Sequence, residues 1–109
     1  MSDIKEITRA LLEFRDERDW AQFHNPKDLA LALNIEAGEL LEAFLWKPSE
    51  QADIDKVKEE LADVFAFAFL LAEKYDFNIK HIVLEKIEKN AQKYPVAKSK
   101  GIAKKYTDL

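Results

Sequence analysis

Apolar residues return every three or four positions through most of this chain, the spacing of one helical face rather than of a strand. Ile4, Ile7, Leu11, Leu12 and Phe14 share one side of the first such segment, with charges opposite. Ser2 stands where an N-cap belongs, and the pattern predicts a helix over about residues 3–20. The aromatic-polar loop Trp20-Ala-Gln-Phe-His-Asn25 follows. Asn25-Pro26-Lys27-Asp28 then combines a cap, a proline for the first helical position and an acid in the first turn. It predicts a second helix over about 26–46, stopped at Lys47-Pro48. A third helix is expected over about 50–75, begun by Ser49-Glu-Gln or by Asp53. A fourth is expected over about 78–94, capped by Asn78 and ended by Pro95. Residues 95–109 read as a polar tail that orders on demand. Two glycines and three prolines leave few breaks, so the prediction is all-α: a four-helix bundle in one domain over 1–109.

The second and third segments are apolar around most of their circumference. Leu29, Leu31, Leu33, Ile35, Leu40, Leu41, Phe44 and Leu45 cannot all face one neighbour, so a second copy of the chain is expected to cover part of them. The simplest assembly is an isologous dimer.

Composition narrows the chemistry. A chain of 109 residues with 48% hydrophobic content supports one packed domain, and a net charge of −4 gives a mixed surface with no commitment to nucleic acid. The absence of cysteine excludes disulfides, a thiolate zinc site and a cysteine nucleophile. The polar start Met1-Ser-Asp-Ile-Lys-Glu6 has no apolar signal region, and no apolar run reaches the ~20 residues that span a bilayer. A soluble cytoplasmic protein without membrane contact is expected.

Two acidic pairs break the apolar pattern. Glu36-Ala-Gly-Glu39 and Glu60-Leu-Ala-Asp63 each place carboxylates three residues apart, on one helical face. Asp63 is the one polar residue in the run Leu61–Ala72. Four carboxylates converging between two helices would repel by roughly 4 kcal/mol per pair at 4 Å and an effective dielectric of 20. A cation is therefore implied, and oxygen donors suit Mg²⁺ or Mn²⁺. Di-iron bundles use Glu-x-x-His pairs, a spacing that neither His24 nor His81 satisfies. Mg²⁺ keeps water and binds phosphates, so a nucleotide or diphosphate substrate is implied. Most other glutamates, such as Glu50, Glu59, Glu73, Glu85 and Glu88, read as a solvated face. Gly38 is costly in a helix interior, by about 1 kcal/mol relative to Ala, and its missing side chain leaves room for a helix or ligand to approach.

Glu-x-x-Glu followed after twenty intervening residues by Glu-x-x-Asp resembles the MazG-type all-α nucleoside triphosphate pyrophosphohydrolases. The blocks Arg18-Asp-Trp-x-Gln-Phe-His24, Trp46-Lys47, Glu59-Glu-Leu-x-Asp-Val64, Lys86, Asn90, Tyr94-Pro-Val96 and Lys105-Tyr-Thr107 are similar to its dCTP-cleaving branch. The resemblance implies a helical bundle that forms dimers or dimers of dimers. It implies cleavage of a (deoxy)nucleoside triphosphate between the α and β phosphates, in nucleotide-pool house-cleaning. Glu36, Glu39, Glu60 and Asp63 match the family's Mg²⁺ ligands and catalytic acids. Trp20 and Trp46 match positions lining the base and sugar pocket, although taken alone they read as core or interface residues. His24 stands open between a loop histidine and a nucleotide contact. Lys86, Asn90, Lys93 and Tyr94, at helical spacing, could reach phosphate or sugar, Lys86 and Asn90 matching the family pattern. Lys104-Lys-Tyr106 could fold over the phosphates.

Two positions depart from the animal members of that branch. Phe67 stands where they carry a tyrosine, and Leu11 where they carry a histidine near the base. Polar groups that read a base edge discriminate strongly, whereas apolar packing gives only ~1–3 kcal/mol. A weaker cytosine preference is expected. The alternatives are a dUTP or broad NTP hydrolase of the same superfamily, and a non-catalytic helical dimerisation module with a structural divalent-cation site.

Overall fold

A computed structural model describes residues 2–109, and every regular element among them is helical. Helix α1 spans Asp3–Glu17 and starts on the Ser2 hydroxyl, which accepts the backbone N–H of Lys5 at 3.3 Å. It ends about a turn before the expected Trp20, because Asp19 enters the left-handed region at φ 54°, a conformation aspartate tolerates. A 3₁₀ turn, Ala21–Phe23, leads to α2, Pro26–Glu42. Asn25 caps α2 as its sequence requires: Oδ1 accepts the Asp28 N–H at 2.9 Å and Nδ2 donates to Asp28 Oδ2 at 2.7 Å.

The second helix stops four residues earlier than expected. From Ala43 the backbone bonds tighten to the i−3 pattern, with Ala43 N to Leu40 O at 3.1 Å and Leu45 N to Glu42 O at 3.1 Å. Trp46 then reverses the chain at φ 60°, a strained conformation for a bulky residue. Ser49–Gln51 forms a 3₁₀ turn rather than the start of a helix, and Ala52 is extended. Helix α3, Ile54–Lys74, begins on Asp53, whose Oδ1 accepts the Asp55 N–H at 3.0 Å. Of the two starts open in the sequence, Asp53 is therefore the cap.

Helix α4, Ile79–Lys93, begins where Asn78 accepts the His81 N–H at 2.9 Å. The segment after Pro95, expected as a tail that orders on demand, carries short regular elements. It forms a one-turn helix α5, Val96–Ser99, and a 3₁₀ turn, Tyr106–Asp108. Tyr106 packs edge-on against Tyr94 at 6.2 Å, with Lys93 Nζ 4.9 Å from its ring centre.

The chain forms two compact units, the first ending at Phe77 and the second running from Asn78 to Leu109. In the first, α2 packs along α3, and α1 packs on α3. Residues near the start of α2 meet the middle of α3 (His24 against Phe67), while Glu36, further along α2, meets Glu60 and Asp63. The two helices are thus antiparallel. Leu29, 1% exposed, sits at the centre of a small core with Ala43, Leu70 and Ala72. Much apolar surface stays outside it: Ile35 is 60% and Leu41 71% exposed, with Leu31 and Phe65 more than half exposed.

Candidate active site

The antiparallel pairing of α2 and α3 brings the two acidic motifs face to face. Oxygens of Glu36, Glu60 and Asp63 all lie within 4.8 Å of one another. Glu39, one turn along α2, stands outside that trio but within hydrogen-bonding reach of Glu36 and Glu60. Burial, first, and then the bond to Glu39 and the charges of Glu39, Asp63 and Glu60 push the Glu36 carboxyl up to about 7. Glu60 is raised too, by burial and by Glu39 and Asp63, with Lys56 one turn away opposing the shift. Such displacement is what burial and like charge together produce.

One oxygen on each of two of these groups is left over. Oε2 of Glu36 and Oε2 of Glu60 are buried without a hydrogen-bond partner. A buried acceptor without a donor costs about 1–3 kcal/mol, so two such oxygens in one carboxylate cluster ask for an electrophile. Three converging carboxylates with no nitrogen or sulfur donor fit a hard divalent cation. Gly38, between the α2 acids, faces open space: an added Cβ would meet nothing within 4 Å.

Phe67 lies on α3 one turn beyond Asp63, and its ring meets His24 edge-on at 6.5 Å. His24 is half-buried, with Nδ1 buried and unpartnered, and burial followed by the charges of Arg15 and Lys74 lowers its pKa. It stands beside the aromatic end of the site. Trp20 follows α1 and packs edge-on against Phe14 at 5.7 Å. Trp46, 93% exposed, projects from the α2–α3 connection. A cleft of about 240 Å³ is lined by Phe44, Ser49, Glu50 and Ala52 of that connection and by Ile54 and Val57 of α3. Lys86, Asn90, Lys93 and Tyr94 lie on α4 and its C-terminal cap, in the second unit.

Two residues with no place in the sequence reading stand near the site. Arg15, its side chain 13% exposed, bonds Asp16 at 2.8 Å and reaches Glu73 on α3 at 3.8 Å, tying α1 to α3. Nothing in its spacing distinguishes it from the neighbouring surface arginines. Lys56 precedes Glu60 by one turn, a position that the i, i+4 rule could have flagged.

The profile of the MazG-like family matches residues 31–109. Over 97% of the chain the sequence is 44% identical to "dCTP pyrophosphatase 1" of Rattus norvegicus and 38% identical to that of Homo sapiens, covering 67% of each. Among solved structures, a pyrophosphatase from Archaeoglobus fulgidus superposes with a TM-score of 0.81 at 38% identity, over 87% of this chain and 94% of that one. With likeness of that extent in both sequence and fold, the chain belongs to the MazG-like family and is a hydrolase of the pyrophosphatase type.

Proposed function

We propose that the chain hydrolyses (deoxy)nucleoside triphosphates between the α and β phosphates, releasing a monophosphate and pyrophosphate, with Mg²⁺ as its cofactor and Mn²⁺ as a substitute. The observation that carries this reading is the carboxylate trio across α2 and α3 with its two orphaned buried oxygens, in a chain of this family. Glu36, Glu39, Glu60 and Asp63 hold the cation. When bound, Mg²⁺ supplies charge neutralisation on the phosphates and acidifies a bound water. Glu39, outside the tight trio, is assigned, beside its share in holding the cation, to orienting the attacking water. As the new bond to the α phosphorus forms, the bond to the α–β bridging oxygen breaks and pyrophosphate leaves.

Phe67 and His24 flank the acids, and with Trp20 they are assigned to base and sugar; Trp46 stands at the α2–α3 connection, toward the other end of the acids in this chain. Lys86 and Asn90 are assigned to phosphate or sugar; Lys93 and Tyr94 join them, although both already rest against Tyr106. Leu11 and Phe67 offer no polar group to a base edge, which favours dCTP within a broader dNTP set, dUTP included, over strict cytosine selection. A panel of NTPs, dNTPs and base-modified analogues with Mg²⁺ tests both points. Pyrophosphate should be the inorganic product, with dNTP rates spread over less than about a hundredfold. Orthophosphate as sole inorganic product would sink α–β cleavage, and a ten-thousandfold preference for one base would sink the selectivity argument.

The exposed apolar residues Leu31, Ile35 and Leu41 on α2 and Phe65 on α3 support a homo-oligomer, a dimer or a dimer of dimers. Sedimentation at micromolar concentration should return at least two copies. A folded monomer under those conditions would refute it.

A further inference from the structure

Four side chains of α3 fall on one narrow stripe. Lys56, Glu60, Asp63 and Phe67 are spaced by four, three and four residues, within about 60° of arc at 3.6 residues per turn. Glu60 and Asp63 belong to the carboxylate cluster, and Phe67 meets His24 at 6.5 Å. The cluster therefore has an aromatic neighbour on the C-terminal side of α3 and a lysine on the N-terminal side. Along the axis that lysine lies about 6 Å from Glu60, one turn of rise.

Lys56 is exposed, and its ammonium forms no ion pair among the described residues. It stands on the same face of α3 one turn before Glu60, so its charge lies beside the cluster. Arg15, at the other end of the site, is engaged by Asp16 and Glu73. A cation held in reach of the acids but spent on none of them is available to an anion lying over them. That end of α3 also carries the positive pole of the helix.

A nucleoside triphosphate has the same polarity, a flat base at one end and phosphates at the other. Resting on the triphosphate reading above, we propose that Lys56 binds the departing pyrophosphate, the nucleotide lying along α3 with its β and γ phosphates toward Lys56 and its base toward Phe67. When the α phosphorus–oxygen bond breaks, its electron pair stays on the bridging oxygen of pyrophosphate. Lys56 meets the charge that builds there, a contact that strengthens as the reaction proceeds.

Lys56→Gln, Lys56→Arg and Lys74→Gln test the assignment, Lys74 being the lysine at the opposite end of the same stripe. Lys56→Gln should lower kcat/KM for a dNTP and raise the inhibition constant of pyrophosphate, each by about tenfold, the size of one charge-assisted contact. Lys56→Arg should restore most of both, and Lys74→Gln should stay within about twofold. Pyrophosphate binding in Mg²⁺, read by calorimetry on the same proteins, needs no turnover. If the wild type binds pyrophosphate through Lys56 yet cleaves no triphosphate, the proposed reaction fails and the contact stands. Unchanged pyrophosphate binding in Lys56→Gln overturns the contact, and a loss confined to Lys74→Gln overturns the polarity.

Discussion

Asp63→Asn is expected to lower kcat/KM for triphosphate hydrolysis by at least about a thousandfold while the helices remain folded. The substitution keeps shape and volume and removes one negative charge from the trio with Glu36 and Glu60. Asp63 is exposed and takes no part in the small core around Leu29, so its loss removes no packing. Folding should survive because the remaining carboxylates then repel less. The loss should come with weakened metal binding, since amide oxygen is a poorer ligand for a hard cation than carboxylate. Glu39→Gln should behave differently: kcat should collapse with a smaller change in metal affinity, as befits an acid outside the trio. Pyrophosphate release gives the rates, circular dichroism the fold and calorimetry the ion. Substantial activity in Asp63→Asn with unaltered metal dependence would remove the cluster from the mechanism.

Without metal, the protein should become less stable as pH rises from about 5 to above 7, and a divalent cation should reverse the trend. The sign follows from Glu36, whose folded pKa is raised from 4.5 to about 7. Between those values the folded state holds a proton that the unfolded chain has released. Stability therefore falls with pH in that window, having been fully present below 4.5. Glu60, raised in the same direction, adds to the slope. Cation binding requires the deprotonated acids, so affinity should climb through the same range. At a hundredfold excess over its dissociation constant the ion adds about 2.7 kcal/mol, on the order of 10 °C in Tm for a chain of this size. Thermal melts from pH 5 to 8, with EDTA or with Mg²⁺, provide the measurement. Glu36→Gln should flatten both dependences, and a metal-free melting temperature that climbs with pH would contradict the assignment.

Local chemistry made most of the fold legible. Asn25-Pro26, Asp53 and Asn78 start helices as their side chains require, because a cap is a contact between neighbours in sequence. The end of α2 was not legible, since Ala43-Phe-Leu-Trp46 has good helical composition and the chain turns there against its propensity. Nor was the order after Pro95. The Tyr106 ring finds Tyr94 and Lys93 across a dozen residues, a contact that no local pattern encodes.

The acidic pairs were readable for a different reason. Carboxylates at i, i+3 inside an apolar run conflict with burial, and the conflict is visible in one dimension. The sequence alone determined the all-α class, the two acidic faces and the residue types able to hold a hard cation. The tertiary structure decided that Glu36, Glu60 and Asp63 form the tight trio with Glu39 beside it, and that Phe67 meets His24. It also decided that Lys56 flanks the acids without an ion-pair partner among the described residues. Periodicity selects a helical face, but only the antiparallel register of α2 on α3 sets which groups on two faces come within a few ångströms.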